Sequence, residues 1–554
     1  MIQKIKYPLL IAAGLFLFFF AMNRIPLWSS DEGRFAEIAR EMAETKDFIV
    51  PQFNYVDHFE KPIFAYLVTA FSFMIFGVHS LTARFPSLLA ALAGIGMTFI
   101  STKALLNKRA AEMASIALST SIGYVIMGRT AMIDMLMLFL MSASLFCLMA
   151  ACLKNRPRFY LLSYVFMGFA FVTKGAMGIV LPAFIFLTFL AWTKNFRELL
   201  RIRLGWGVLI IALIFVPWGI AISMREPEFS YVFLWKHQMT RFATEYFGRK
   251  RPVWFFIPIL FSLAFPWSFF LPQAVRNGLR ESPEVKKVIQ FLVVWIGVML
   301  LFFSIPKSKL PYYILPVSMP LSVLVGHLFY SWEAAEKCPG ASLKGFRMLF
   351  HGIVAALLAG IVGINAFLLF WTQDPRALAV KPTVHIFSFV LFLTVAGFYG
   401  MCRKKEVRDY FYFLSGIVYL FLITVFLCMV FLTPFFSTYD FASALKPQLQ
   451  KGDIVAMYSS PDHFSDFPFH MERRIVVVGS DRGTLTDEIS ELANADSARG
   501  WFPETGAFME GFNTSSRRIF CLLEEKNLDE MKRSGLVEYK TIKQEAGKIL
   551  IANR

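Results

Sequence analysis

The sequence predicts an all-α polytopic membrane protein with a small extracytoplasmic α/β domain at its C-terminal end. Of its 554 residues, 56% are hydrophobic and 62 are phenylalanine, a composition that soluble domains do not reach. Apolar runs of about 20 residues, the length that spans a bilayer as a helix, recur along most of the chain. Clusters of Lys and Arg separate these runs, and the long apolar runs stop before Thr438.

The apolar runs define the predicted helices, and the basic clusters define their orientation. We predict helices at 7–22, 62–77, 83–102, 111–127, 131–152, 159–172, 176–192, 205–223, 253–272, 287–304, 311–331, 350–371, 383–402 and 411–434. Loops rich in Lys and Arg stay on the cytoplasmic side. Lys4 and Lys6 therefore place the N-terminus inside, and we interpret 7–22 as a retained first helix rather than a cleaved signal peptide.

The count of crossings depends on the start of the chain. The acidic loop after the first helix lies outside, and the basic cluster at Lys103 lies inside, so the chain must cross an odd number of times between them. Two apolar runs lie there. The shorter, 62–77, reaches only about 24 Å as a helix, so we expect it to lie in the outer leaflet. About 13 crossings remain, and they put the tail outside.

The tail has a different composition and defines the second predicted domain. It alternates segments typical of strands (453–460, 473–479, 517–525, 536–542) with segments typical of helices (483–495, 526–534). We therefore predict a transmembrane domain at 1–437, whose first outer loop at 23–82 holds the candidate site, and a soluble periplasmic domain at 438–554.

Charge and cysteine usage exclude two further classes. The net charge of +17 resides in the membrane part, where it sets topology, so we expect no nucleic-acid partner. The six cysteines are scattered without a CxxC pair. We predict buried thiols, with no disulfide and no zinc-finger-type site.

The first outer loop opens with the stretch WSSDEGRFAEIAREM, which predicts an amphipathic helix over 31–46. Ser29 and Glu32 fit a capping box, and the apolar residues recur at helical spacing in one stripe: Phe35, Ile38, Ala39 and Met42. By this pattern alone, Asp31 and Glu32 are ordinary acids at a helix start.

More charged residues follow near the predicted outer surface. The stretch VDHFEKPIFAY places Glu60 and Lys61 together, and Asp134 lies near the outer end of its helix. An ionisable residue in a membrane span is a functional candidate. The alternative is a structural pair between Asp134 and Arg129.

Several cations oppose the topological rule, because outer loops should be poor in Lys and Arg. They are Lys61, Lys174, Arg241, Arg249, Lys250, Arg251, Lys307 and Lys309. Such cations bind phosphate strongly, and the nearby aromatic rings of Phe59, Tyr66, Tyr312 and Tyr313 could flank a lipid chain. The alternative for each single residue is anchoring at lipid head groups.

Carboxylates and cations at one membrane surface suggest glycosyl transfer from a lipid-linked phosphate. The cations would neutralise the leaving phosphate, and a carboxylate would deprotonate or orient the acceptor. The sequence contains no P-loop, GxSxG or HExxH motif.

Ordered motifs between Asp31 and Pro316 resemble one family. They are DEGRFAEIAREM, KDFIVPQFN, FEKPIFAY, FGVHSLTARFPSLL, GRTAMIDMLMLF, TKG and SKLPYYILP. The chain resembles the integral-membrane glycosyltransferases of the aminoarabinose (4-amino-4-deoxy-L-arabinose) lipid A transferase and protein mannosyltransferase superfamily. The resemblance implies the GT-C fold, interfacial helices in the first outer loop and, in the aminoarabinose branch, a C-terminal periplasmic domain in the bacterial inner membrane.

The resemblance also implies residue roles. Asp31 matches the catalytic aspartate of the first loop, with Glu32 and Arg34 as its neighbours, and Asp134 matches the second interfacial aspartate. Lys61 matches a lysine that contacts the donor phosphate, and Arg241 matches a second phosphate contact. We expect Lys307 or Lys309 to help hold this phosphate, and the tyrosines to line the lipid.

A metal ion is left open by the motif HQMTRF. It resembles the family's histidine-containing loop, but no acid follows His237, which weighs against a divalent ion held by Glu60 and His237. We therefore expect no obligatory cofactor, with a divalent ion as the alternative.

The sequence thus predicts transfer of aminoarabinose or a related sugar from a polyprenyl (undecaprenyl) phosphate donor to lipid A or another envelope acceptor. In the family, this modification lowers surface charge and confers polymyxin resistance. One alternative is transfer to protein or polysaccharide, as in mannosyltransferases. Another is a lipid flippase or transporter, although transporters place their charges near the bilayer midplane.

Overall fold

The computed structural model describes residues 12–227, 229, 251–336, 344–401, 406–458, 461–479 and 500–554. Its helices in the first half of the chain are α1 (Ala12–Arg24), α2 (Asp31–Thr45), α3 (Phe64–Phe76), α4 (Ser80–Leu105), α5 (Lys108–Ser119), α6 (Ile122–Met127), α7 (Ile133–Leu153), α8 (Arg158–Lys174), α9 (Met177–Thr193) and α10 (Leu204–Arg225). Those that follow are α11 (Phe256–Leu263), α12 (Leu271–Gly278), α13 (Pro283–Ser304), α14 (Ser318–Glu336), α15 (Lys344–Phe370), α16 (Pro375–Met401) and α17 (Val407–Phe436).

The predicted polytopic α-helical fold is confirmed. Within the described ranges, eight helices are long and apolar enough to cross a membrane, and a bent pair raises this number to nine. Three shorter apolar helices, α1, α3 and α9, add to them. As far as the described residues extend, each predicted apolar run coincides with helical structure, and the count of 13 crossings stays a prediction.

Two predicted single helices are broken, and these predictions were wrong. The run 253–272 forms two helical segments, Val253–Leu263 and Trp267–Gly278, bent by 108°. Pro266 lies in the break, where its missing N–H cannot continue the helical hydrogen bonds. The run 111–127 divides into α5 and α6. Between them, the hydroxyls of Thr120 and Ser121 donate to the carbonyls of Ile116 and Ala117, which competes with helix continuation.

The chain forms two compact units, and each is described by itself. The first comprises Met1–Met22, Glu60–Phe64 and Ser87–Cys428. The second comprises Asn23–Phe59, Ala65–Pro86 and Met429–Arg554. Most of the first outer loop therefore belongs to the same unit as the C-terminal tail, an association that no local pattern in the sequence indicates.

The tail folds around a five-stranded mixed sheet. Its further helices and strands are α18 (Tyr439–Leu445), β3 (Ile454–Tyr458), α19 (Asp466–Met471), β4 (Val476–Val478), α20 (Thr505–Thr514), β5 (Ile519–Glu524), α21 (Leu528–Arg533), β6 (Lys540–Glu545) and β7 (Lys548–Ala552), while β1 (Gln52–Phe53) and β2 (Val56–Asp57) form a hairpin in the first loop. The strand order is β4-β3-β5-β7-β6. Strand β3 is parallel to β4 and β5, and β7 is antiparallel to its neighbours.

The small C-terminal α/β domain is therefore confirmed as a fold, with one strand that the sequence analysis missed. Strand β7 follows β6 through a tight turn at Ala546 and Gly547, both with positive φ, as two-residue hairpins require. The predicted helix at 526–534 corresponds to α21. The predicted helix at 483–495 lies outside the described residues.

Candidate functional site

The predicted site residues fall into two groups, one in each unit. Asp31, Glu32, Arg34 and Tyr66 belong to the second unit. Glu60, Lys61, Asp134, Lys307, Lys309, Tyr312 and Tyr313 belong to the first unit. Arg241 and His237 lie outside the described residues.

Asp31 is the first residue of α2 and is paired with a cation, Arg34. It follows a turn at Ser30, whose φ of 76° sets the direction in which the helix begins. The Arg34 Nη2 donates to Asp31 Oδ1 at 2.5 Å. The Asp31 side chain stays 24% exposed, whereas that of Arg34 is 8% exposed. The carboxylate is thus fixed by Arg34, and its exposed surface leaves room for a reacting group.

Glu32 is buried and organises the chain before α2. Arg84 donates to both of its oxygens, from Nε at 2.7 Å and from Nη2 at 2.8 Å. Trp28 N also donates to Glu32 Oε2, at 3.0 Å. Such a bidentate pair fixes orientation as well as charge. These contacts are those of a structural carboxylate.

The predicted capping box at Ser29 and Glu32 was wrong. Ser30 occupies the N-cap position, and in the described part of the chain its side chain makes no capping hydrogen bond. The Glu32 carboxylate instead binds the guanidinium of Arg84, a stronger charge-assisted donor than a backbone N–H. The Ser29 hydroxyl donates to Asp466 Oδ1 at 2.5 Å.

Helix α2 is confirmed at 31–45, but it is buried on nearly every side, including its polar face. The Arg40 guanidinium donates from Nε and Nη2 to the Glu37 oxygens at 2.7 and 2.8 Å. Glu41, fully buried beside Glu37, accepts from Tyr55 N at 2.8 Å. Burial raises the pKa of the Glu41 carboxyl well above its ordinary value, and the neighbouring Glu37 raises this pKa further.

The raised pKa of Glu41 predicts a specific pH dependence of stability. A raised folded-state pKa stabilises the fold below the unfolded value of about 4.3, and this stabilisation is lost as pH rises through the folded-state pKa. Glu41→Gln keeps the acceptor for Tyr55 N and cannot ionise. We expect its melting temperature, relative to the parent, to rise as pH increases over this window. The exposed Glu510→Gln is the control, and parallel pH curves for the parent and Glu41→Gln would contradict the prediction.

Lys61 and Glu60 form a largely buried ion pair in the first unit. The Lys61 Nζ donates to Glu60 Oε1 at 2.9 Å, and the two side chains are 13% and 10% exposed. An anion that reached the Lys61 ammonium group would interact with it in a low dielectric, where charge interactions are strong. Phe64, just after the pair, packs on Phe169 of α8 with ring centroids 4.9 Å apart.

Helix α8 brings a second lysine to a carboxylate. Gly175, with a φ of 85°, ends this helix directly after Lys174, and glycine adopts this conformation without steric cost. The Lys174 Nζ donates to Asp134 Oδ1. Asp134 lies in the first turn of α7 and Lys174 in the last turn of α8, so each charge lies at the helix end that favours it.

Two aromatic rings complete this pair. The Lys174 Nζ lies 5.7 Å from the ring centroid of Tyr312 and 5.5 Å from that of Tyr313, within the range of a cation–π interaction. The two tyrosines predicted to line a lipid therefore lie beside a cation and an acid. For reference, we group the two lysine–carboxylate pairs of the first unit with these two rings under one name, the lysine cluster: Glu60, Lys61, Asp134, Lys174, Tyr312 and Tyr313.

Other predicted residues have different surroundings. The alternative pairing of Asp134 with Arg129 is replaced by the Lys174 pair, and Arg129 donates to the carbonyls of Leu17 and Phe20. The buried Lys309 donates to the carbonyls of Pro306 and Arg251, whereas Lys307 is exposed. In the second unit, the buried Tyr66 packs on Phe35, with ring centroids 6.1 Å apart.

The predicted metal site at Glu60 and His237 stays a prediction, because His237 lies outside the described residues. In the described ranges, no cluster of three or more His, Cys, Asp or Glu side chains could hold a metal ion. Glu60 binds Lys61, an arrangement suited to a carboxylate that partners a cation.

Two sets of contacts were not predicted from the sequence. One is the pairing of Lys174, a predicted outer cation, with Asp134, 40 residues away. The other is the contact of Asp462, Ser465 and Asp466 of the C-terminal tail with the start of α2. No spacing signal links residues more than 400 positions apart.

The fold and these clusters define a multi-pass helical membrane protein with partly buried carboxylate–cation pairs and a C-terminal α/β domain. Residues 60–220 match the family model described as dolichyl-phosphate-mannose-protein mannosyltransferase. The chain belongs to the family of undecaprenyl phosphate-alpha-4-amino-4-deoxy-L-arabinose arabinosyl transferases. It is 31% identical to the member from Pseudomonas paraeruginosa over 376 residues, which cover 66% of this chain and 67% of that relative.

A second relative agrees with this membership, and a solved structure has the same fold. The arabinosyl transferase of the same name from Yersinia enterocolitica is 33% identical over 367 residues, 64% of this chain; the matched region spans 65% of that relative's length, just under two thirds. The crystal structure of ArnT from Cupriavidus metallidurans bound to undecaprenyl phosphate superimposes with a TM-score of 0.86 at 22% identity, covering 99% of this chain and 97% of that one. This likeness confirms the predicted fold over the full length.

Proposed function

We propose that this protein transfers aminoarabinose, or a closely related sugar, from a polyprenyl phosphate donor to lipid A or another acceptor of the cell envelope. The observation that carries the proposal is the pair of largely buried lysines, Lys61 and Lys174, each ion-paired with a carboxylate. A donor phosphate supplies the anion that such ammonium groups bind in a low dielectric. The names of the 31–33% identical relatives supply the donor chemistry.

In this proposal, the lysine cluster holds the leaving group. Lys61 binds the donor phosphate, with Arg241 as a second contact, and Tyr312 and Tyr313 flank the lipid beside Lys174. Lys307 is exposed and is a further contact for the donor phosphate. Lys309 donates to backbone carbonyls, so its role is to stabilise its loop. As the bond between the sugar and phosphate oxygen breaks, the released phosphate takes the electron pair, and the ammonium groups stabilise its growing charge.

Asp31 acts on the acceptor in the same step. A new bond forms between the acceptor oxygen and the anomeric carbon, on the face opposite the leaving phosphate, with inversion. If the acceptor is a hydroxyl, its proton passes to the Asp31 carboxylate. If the acceptor is a phosphate of lipid A, it is already anionic, and Asp31 orients it through Arg34. Glu32 and Asp134 support the site through Arg84 and Lys174.

The proposed topology places the reacting residues at the periplasmic surface of the membrane. The protein resides in the bacterial inner membrane with its N-terminus in the cytoplasm, and the reaction takes place at the periplasmic surface. Residues 1–437 form the membrane domain, with the catalytic loop at 23–82, and 438–554 form a periplasmic domain. No step of this mechanism uses a metal ion, and full activity in EDTA is the expected result.

Mass spectrometry tests the proposed function. We expect lipid A from a strain lacking this chain to lose aminoarabinose, and purified protein to transfer the sugar from undecaprenyl phosphate-aminoarabinose to lipid A. Unchanged lipid A together with lost sugars on proteins or polysaccharides would contradict the proposal that lipid A is the acceptor. Movement of the intact donor across vesicles without transfer would overturn the enzyme itself in favour of a flippase.

A further inference from the structure

A short segment of the C-terminal tail contacts the helix start that carries Asp31. This segment, Asp462–His470, is called here the clamp segment. Its Asp466 Oδ1 accepts from Ser29 Oγ at 2.5 Å, and its Ser465 Oγ donates to the Ser30 carbonyl at 2.5 Å. Both contacts fall on the two residues directly before Asp31.

The two backbones also meet without an intervening side chain. Gly33 lies one turn into α2, and a Cβ built there would lie 2.5 Å from the backbone nitrogen of Asp466. Real Cβ atoms do not approach a backbone so closely, so glycine is required for this contact. Helix α2 therefore cannot shift along the clamp segment without breaking a packed interface.

Asp466 is itself rigidly held. It is fully buried, and its Oδ2 accepts from Ser437 Oγ at 2.8 Å and from Thr438 N at 2.6 Å. A buried carboxylate with hydrogen bonds on both oxygens has one orientation, because any other leaves buried donors unsatisfied. The oxygen that accepts from Ser29, Asp466 Oδ1, therefore has a fixed position.

A second acid of the clamp segment reaches the partner of Asp31. Arg34 donates from Nη1 to Asp462 Oδ1 at 3.3 Å and from Nη2 to Asp31 Oδ1 at 2.5 Å. The guanidinium thus bridges one acid of the first loop and one of the C-terminal tail. Its position, and with it the position of Asp31, depends on both.

We propose that Asp466 is a positioning residue for Asp31, acting through the Ser29 hydroxyl from within the C-terminal tail. The inference rests on the proposed function, because it assigns the tail a role in that reaction. It does not make Asp466 a catalytic group, since its side chain is fully buried among partners that include Ser29, Ser437 and His470. The tail then contributes to the rate by fixing the depth and direction of one carboxylate.

Ser29 offers the sharpest test, because its change leaves Asp466 and the tail intact. Ser29→Ala removes one hydroxyl, and we expect kcat to fall about 10-fold, since a small displacement of a reacting group is costly, while the donor KM stays unchanged. Ser29→Thr, which retains the hydroxyl, should restore kcat. The matched control is Ser72→Ala in the same unit, which removes a buried hydroxyl bonded to the Thr82 carbonyl at 2.8 Å.

Three measurements separate the outcomes: melting temperature, kcat and donor KM of the full-length protein. Similar small losses of melting temperature in both alanine variants, with kcat lowered only by Ser29→Ala, support the inference. Parent-like kcat in Ser29→Ala, or equal loss in Ser72→Ala, overturns it. Failure of the proposed function is distinguishable, because the parent protein itself would then transfer no sugar.

Discussion

Asp31→Asn is expected to lower sugar transfer by at least about 100-fold, the contribution of a positioned general base. Asparagine has the same shape as aspartate and retains an oxygen that can accept from Arg34 Nη2, so the start of α2 is expected to stay folded. It loses the charge that deprotonates or orients the acceptor. The measurement is the initial rate of transfer by purified protein, together with its melting temperature.

Asp47→Asn is the matched control for this change. Asp47 lies in the same loop, and its Oδ1 accepts from the backbone N–H groups of Ile49 and Val50 at 3.0 and 3.2 Å. Asparagine can make the same turn, so parent-like activity is expected. A well-folded Asp31→Asn protein with full activity would remove Asp31 from the mechanism.

Lys61→Ala is expected to raise the donor KM about 10- to 100-fold, because a hydrogen bond between charged groups is worth about 1.5–3 kcal/mol. The effect falls on donor binding more than on kcat if Lys61 contacts the phosphate equally in the ground state and the transition state. Saturation kinetics with purified undecaprenyl phosphate-aminoarabinose separate the two parameters.

Lys108→Ala controls for the loss of one positive charge. Its side chain is 72% exposed at the start of α5, and exposed charges contribute little, so unchanged kinetics are expected. If Lys61→Ala binds the donor as tightly as the parent, the pair with Glu60 is structural only, and the phosphate is bound elsewhere.

Local patterns in the sequence were sufficient for most of the fold. Apolar runs predicted the positions of the helices, because each membrane helix must carry its own apolar surface. They did not predict the bend at Pro266 or the break after Ser119, since proline and hydroxyl residues also occur inside unbroken helices of this chain, such as Pro182 and Thr188 in α9. Strand β7 was not predicted, because its short sequence alone did not indicate that it pairs with β6.

The candidate site was predictable as a set of charges but not as a set of pairs. The cations that oppose the topological rule included Lys174, and the motif around Asp31 singled out the helix start. The pairs could not be predicted because their members are far apart in the sequence: Lys174 binds Asp134, 40 residues away, and Arg84 binds Glu32, 52 residues away. The predicted role of Lys309 rested on charge alone, whereas in the structure its ammonium group donates to the carbonyls of Pro306 and Arg251.

The contact between Ser29 and Asp466 has a consequence for biosynthesis. The two residues are 437 positions apart, so at about 5–20 residues per second the ribosome needs roughly 20–90 s to make the second after the first. During this interval, the start of α2 lacks its contacts with Asp462, Ser465 and Asp466. The loop therefore reaches its native packing only at the end of synthesis. In a chain that lost its last 100 or so residues (about one small domain), the loop would be exposed to proteases.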